Sequence, residues 1–311
     1  MLAIFLQTLP FFLIIGLGFG AARTGFFSDE ATAWLTKFVF YFALSAMLFR
    51  FAANLTFADV FDTKFMLAYL CGTAIVYALA TLVSLLRRAS VEEAAVEAQC
   101  AVIGNVGFLG VPMLIMLLGE TAIGPVMMVL TIDLIVFGSL IVILITGSRD
   151  GRMRIGVLRT VGIGLLKNPM IVSIVLGLAW SGARLPIPAP MNDFLSILGG
   201  AATPGALFAI GASLASKSAE RPFVAGWLSF CKLVLHPASV AVCALVLFHV
   251  EPYAAAVMIA AASLPVAGNV YILAQHYGVA PQRVSASILI STLIAVASVS
   301  IVIGWVTRLY G

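Results

Sequence analysis

The stretch "GNVGFLGVP", Gly104–Pro112, decides the fold. It lies inside an apolar run, about residues 97–118, that is otherwise long enough to cross a bilayer, which takes roughly 20 apolar residues. Gly104 and Gly107 loosen the backbone, and Pro112 removes a donor and clashes with the turn before it. Asn105 adds a bare amide that can donate to a carboxylate or accept from a hydroxyl. This combination predicts an unwound midpoint. In lipid an unpaired backbone is costly, so a break is tolerated only inside protein or beside water.

The stretch has an echo. At an offset of 159 residues it lies over "SLPVAGNVY", Ser263–Tyr271, which holds Pro265 and Asn269. The same ungapped offset sets Pro10 on Pro169, Gly18 on Gly177, Ala43 on Ala202, Leu48 on Leu207, Phe49 on Phe208 and Gly119 on Gly278. The prolines of the two windows, Pro112 and Pro265, do not superpose. Two broken helices at matching places would aim half-helix N-termini, which attract anions, at one spot. The alternative is a pair of kinked packing helices whose glycines serve close helix contact.

Composition supports a membrane reading throughout. The 311 residues are 62% hydrophobic and 10% charged, with mean hydropathy +1.15. A soluble domain does not bury that much apolar surface. Ten spans are expected, at about 3–22, 34–53, 65–86, 97–118, 122–146, 168–181, 192–215, 224–248, 253–276 and 284–307, the sixth being short. Of the 17 Lys and Arg, 12 fall in odd-numbered loops, 4 in even-numbered loops or at the C-terminus, and Lys232 within a span. That asymmetry places the odd loops in the cytoplasm and both termini outside. The chain divides into a five-helix repeat at 1–147, a basic cytoplasmic linker at 148–166 and a second five-helix repeat at 167–311. Because five is odd, the repeats run in opposite orientations, as in many secondary transporters. Cys71, Cys100, Cys231 and Cys243 all fall within spans and read as small apolar residues. No metal site or cofactor is expected.

Three ionisable residues stand where lipid should be. Asp133 lies about 16 Å into the fifth span at 1.5 Å per residue. Such a residue is a functional candidate by default. Lys232 and His236 share a face of the eighth span at i, i+4. Lys232 is expected to snorkel to the cytoplasmic surface. Asp133 is read as pairing with His236 or Lys232, as carrying a coupling proton, or as a static polar bridge. Glu97 is placed at the start of the fourth span, where a carboxylate suits the helix dipole, and Arg87 and Arg88 read as surface anchors.

Four segments together resemble the auxin efflux carrier family: "GNVGFLGVP", "KNPMIVSIVLGL" from Lys167, "TPGALFAIGASL" from Thr203 and "SLPVAGNVYILA" from Ser263. The resemblance covers nearly the whole chain. It implies an all-α integral membrane protein of ten transmembrane helices in two inverted five-helix repeats, with broken helices 4 and 9 crossing. It also implies a scaffold of helices 1, 2, 6 and 7, which carries a homodimer contact in relatives, and a mobile domain of helices 3–5 and 8–10 that moves like an elevator. Asn105 looks like the helix 4 asparagine that meets a substrate carboxylate, and Pro265 like the helix 9 crossover proline. Gly104 stands where the plant branch has a proline. Ser45, in "FALSAMLF", stands where many relatives have one, and its repeat partner Pro204 keeps it. The third span lacks the acidic residue of the plant supporting site.

The expected function is transport of a small organic anion, a mono- or dicarboxylate such as malonate, across a bacterial inner membrane, coupled to a proton or uncoupled. A sodium-coupled symporter resembling the bile-acid carriers is the alternative within transport. An intramembrane enzyme would need a paired catalytic set, and Asp133 is the only carboxylate well inside a span.

Overall fold

The computed structural model describes residues 2–55, 62–150, 155–215 and 222–309. Arg152, Arg154, Lys217 and Arg221, which contribute to the expected charge asymmetry, lie outside these. Among the described residues all regular elements are helices. They are α1 (Leu2–Arg23), α2 (Asp29–Ala53), α3 (Thr63–Leu86), α4 (Val91–Val102), α5 (Val106–Leu118), α6 (Glu120–Arg149) and α7 (Ile155–Lys167). They continue as α8 (Pro169–Gly182), α9 (Ala189–Ala215), α10 (Pro222–Leu247), α11 (Pro252–Ala262), α12 (Gly268–Tyr277) and α13 (Pro281–Val306).

Seven of these, namely α1, α2, α3, α6, α9, α10 and α13, are long and apolar enough to cross a membrane. An eighth candidate is the bent pair of α7 and α8, whose axes turn by 74° between Lys167 and Pro169. The short sixth span thus has a helical lead-in set at an angle to it. Asn168 makes the corner, its side chain capping the Met170 amide while Pro169 takes the first helical position, where no donor is needed. Similar caps start other helices. Ser90 and Glu93 form a capping box at α4, and Glu251 followed by Pro252 opens α11. Gly278, at φ 67°, closes α12 in the left-handed conformation that glycine adopts without strain.

The helices pack in two groups. In the first, α1 lies along α9 and α8 along α2. A Cβ on Gly18 would sit 2.1 Å from the Phe208 carbonyl oxygen, and one on Gly177 would sit 2.7 Å from that of Phe49. Backbones therefore touch at both places, as small residues allow in membranes. At the 159-residue offset these are one contact occurring twice, since Gly18 answers to Gly177 and Phe208 to Phe49. The second group joins α3 to α4 and α10, α13 to α10 and α11, and α6 to α4 and α11. The groups meet where α1 touches α13, with Thr8 and Ser300 hydrogen-bonded at 2.7 Å, and where α9 touches the start of α5. Large apolar side chains such as Leu13, Leu17, Leu82, Leu86 and Ile197 are exposed on the outer faces, as a lipid-facing surface requires.

The fourth and ninth expected spans are each interrupted. α4 stops at Val102 and α5 starts at Val106; α11 stops at Ala262 and α12 starts at Gly268. Pro112 does not make the first break. It sits near the start of the α-helical part of α5, after a widened turn over Val106–Gly110 in which the Val111 amide reaches back to the Val106 carbonyl. Such a turn absorbs a residue that lacks a donor.

Candidate functional site

The two breaks lie across each other. Gly104 and Val266 form an antiparallel bridge, in which the Asn105 amide donates to the Pro265 carbonyl at 2.8 Å and the Ala267 amide donates to the Ile103 carbonyl at 3.1 Å. Each unwound segment thus pairs backbone groups that lipid could not satisfy. Pro265 is buried and outside any helix, and its missing donor costs nothing because only its carbonyl is used.

Two helices start from the crossing. The Asn105 carbonyl accepts from the Leu109 and Gly110 amides, so the Gly107 and Phe108 amides fall within the first turn of α5, before its internal ladder begins. The Gly268 and Asn269 amides hold the same position in α12. Gly104, Asn105, Gly107, Asn269 and Asp133 line one small cavity of about 20 Å³. Gly107 packs against the end of the Met170 side chain, and a Cβ there would lie 2.7 Å from Met170 Cε, which would have to swing aside. Two acceptors facing this region, Asp133 Oδ2 and Asn269 Oδ1, are buried without a hydrogen-bond partner.

A larger cleft of about 760 Å³ runs from this point to one end of the protein. Its inner wall holds Phe40, Phe108, Gly268 and Asn269, and its mouth holds the exposed Asp29, Gln275 and Gln282. Phe40 and Phe108 stack with centroids 6.4 Å apart, bringing α2 against α5. Lys37 also lines the cleft. Asn269 borders both spaces and so stands between cleft and crossing.

The membrane charges depart from expectation. Asp133 pairs with neither Lys232 nor His236; it accepts a hydrogen bond from the Tyr69 hydroxyl at 2.8 Å. Lys232 does not snorkel. It is fully buried, because it faces the second helix group rather than the surface, and donates to the Ala262 carbonyl at 2.5 Å. Its ammonium also meets His236 Nδ1 at 3.1 Å, while His236 Nε2 meets Thr73 Oγ1 at 3.0 Å. Ser45 lines neither space; its hydroxyl donates to the Phe40 carbonyl within its own helix. Pro112 and Pro265 also lie outside both linings.

Glu97 is not a helix-start residue but a fully buried hub in the middle of α4. It accepts from Arg283 Nη1 at 2.5 Å and also from Arg87 and Ser84. Arg87 is therefore an ion-pair partner rather than a surface anchor. Arg283 continues to Glu93 at 3.0 Å, and nearby Arg149 joins Glu92 at 2.9 Å to the Tyr277 carbonyl at 2.6 Å. These bonds tie α3, α4, α6, α12 and α13 together at one end. Tyr69 and Thr73, polar residues one turn apart in an apolar span, were the available signal for the partners of Asp133 and His236.

Residues 3–303 match the family described as "Membrane transport protein". The chain is 32% identical over 298 residues to a protein of Rhizobium meliloti (strain 1021) named "Putative malonate transporter", covering 94% of this chain and 92% of that one. It is 27% identical over 294 residues, 92% of each chain, to the "Uncharacterized transporter YfdV" of Escherichia coli (strain K12). With several helices fit to cross a bilayer and this match along nearly its full length, the chain belongs to the membrane transport protein family, the auxin efflux carrier family that its motifs resemble, and is a multi-pass membrane transporter.

Proposed function

We propose that the protein is a secondary active carrier of a small organic anion, a mono- or dicarboxylate such as malonate, in the bacterial inner membrane. The observation that carries this is the crossing: Asn105, Asn269 and the first amides of α5 and α12 come together beside one cavity. Half-helix N-termini and amide donors suit a carboxylate. Asn105 binds the carboxylate, and Asn269 hands it between crossing and cleft. The relative named for malonate sets the first substrate to try.

The architecture we infer has ten spans in two inverted repeats, 1–147 and 167–311, joined by a linker at 148–166, with both termini outside. Seven long helices, the bent pair and the two broken segments make up that number. The recurring Gly18–Phe208 and Gly177–Phe49 contacts support the repeat. In this reading α1, α2, α8 and α9 form a scaffold that pairs with a second copy, and the other helices move against it as an elevator. A substrate carboxylate arriving beside Asp133 would set two like charges at one site, and a proton held by Asp133 relieves them. Asp133 is thus the proton-coupling residue.

Uptake of radiolabelled malonate into proteoliposomes tests the site. Asn105→Ala removes a hydrogen bond to a charged ligand and is expected to weaken malonate binding about 10- to 100-fold. Full activity of Asn105→Ala would sink the assignment.

A further inference from the structure

Lys232 is a fully buried lysine that forms no ion pair among the described residues. Burying an ammonium without a carboxylate in contact is costly; Asp133 acts on it only from beyond ion-pair distance, so closer groups must stabilise it. Its surroundings identify what does. Nζ takes the Ala262 carbonyl at 2.5 Å, and Ala262 is the last residue of α11. A Cβ on Gly104 would lie 3.2 Å from Nζ and 3.3 Å from the Ala261 carbonyl oxygen, so the ammonium sits against the crossing itself. Gly104 follows the end of α4 by two residues. The cation therefore rests where the negative ends of two half-helices converge, behind the side that presents their partners' N-termini.

His236 fixes the charge state of the arrangement. Lys232 has only donors, so His236 Nδ1 at 3.1 Å accepts, and Nε2 carries the proton toward Thr73 Oγ1 at 3.0 Å. With Lys232 as an ammonium, this arrangement keeps the histidine neutral and leaves the single positive charge on the lysine. In broken-helix transporters, unwound carbonyls and half-helix C-termini form the place where a free monovalent cation binds.

We propose that Lys232 is a tethered cation: its ammonium fills a carbonyl niche for a monovalent cation behind the crossing and holds the two breaks together without bound sodium. Removing the side chain converts the niche into a binding site for a free small cation, a primary alkylammonium or sodium. The inference concerns the crossing with no substrate bound, and so stands apart from the malonate reading.

The test is thermal unfolding of the full-length purified protein, without substrate, in choline, sodium, potassium or methylammonium chloride at equal ionic strength. The parent is expected to have the same Tm in all four. Lys232→Ala is expected to lose about 10 °C in choline, and to regain about 3 °C in methylammonium or sodium at ten times the Kd of the cation. Lys232→Met removes the charge but fills the space; it is expected to be destabilised and indifferent to cation. It serves alone if Lys232→Ala does not accumulate. The proposal is overturned by a parent stabilised by sodium over choline, by a Lys232→Ala protein that answers no cation, or by a Lys232→Met protein as stable as the parent. Malonate binding by the parent in choline is measured alongside; its absence beside an intact cation response counts against malonate alone.

Discussion

Replacing Glu97 with Gln tests whether the buried ion-pair hub holds the second helix group together. Gln keeps the volume but turns an amide nitrogen toward donors. Glu97 is fully buried and Arg283 nearly so, with 2.5 Å between them. Breaking a buried pair from one side costs about 3–5 kcal/mol, because it strands a charge. Arg283 keeps Glu93 at 3.0 Å, and Arg87 is about one-third exposed, so the low end applies, about 3 kcal/mol. At about 2 °C per kcal/mol for a chain this long, Tm falls by about 6 °C. The comparison is Glu92→Gln, whose partner Arg149 is well exposed, so the loss there is small and largely screened by salt. The assay is thermal loss of the monodisperse peak in detergent, at low and high salt. Equal shifts for the two variants would refute the reasoning, as would a Glu97→Gln shift that salt abolishes.

Gly18→Ala and Gly177→Ala should each lower Tm by several degrees, since each Cβ meets a carbonyl oxygen of a neighbouring helix backbone; Gly16→Ala, with open space at that Cβ, should not. If all three behave alike on the same melting assay, close backbone contact is not what these positions require. Tyr69→Phe takes away the hydrogen bond that the Asp133 carboxylate accepts and should cost about 2 kcal/mol, part of which Tyr69→Phe with Asp133→Asn recovers; additive losses in that double-mutant cycle would argue against the pair. Asp133→Asn should flatten the pH dependence of malonate uptake in proteoliposomes. An unchanged profile removes Asp133 as the proton carrier.

How much of this was legible beforehand depends on the kind of signal. Breaks announce themselves because Gly, Pro and Asn are improbable in a lipid-crossing helix, so the windows at Gly104 and Ser263 could be found without coordinates. The glycines at 18 and 177 were also visible through the offset that relates them, although their shared target, a Phe carbonyl, was not. Proline was a poorer guide to position. Pro112 lies inside the helix after the break, where a widened turn accommodates it, while the break itself falls on Ile103–Asn105. Charges were read worst. Depth along a helix does not say which face a side chain takes, so the sequence points Lys232 to the surface while the structure turns it to the crossing. Likewise Glu97 and Arg283 are 186 residues apart, and no local pattern joins them. The cleft was not foreseen at all, since its lining comes from separate helices with no common spacing.

The antiparallel bridge also sets an order of assembly. The backbone at Asn105 finds its partner at Pro265, 160 residues later in the chain. At about 5–20 residues per second, the ribosome takes roughly 8–32 s to supply it. Throughout that interval the first broken helix is in or at the membrane with polar groups that only the unborn second half can cover. A nascent first half must therefore be sheltered by the insertion machinery or by water until its complement arrives. The two halves made as separate chains should be degraded singly and rescue each other when produced together.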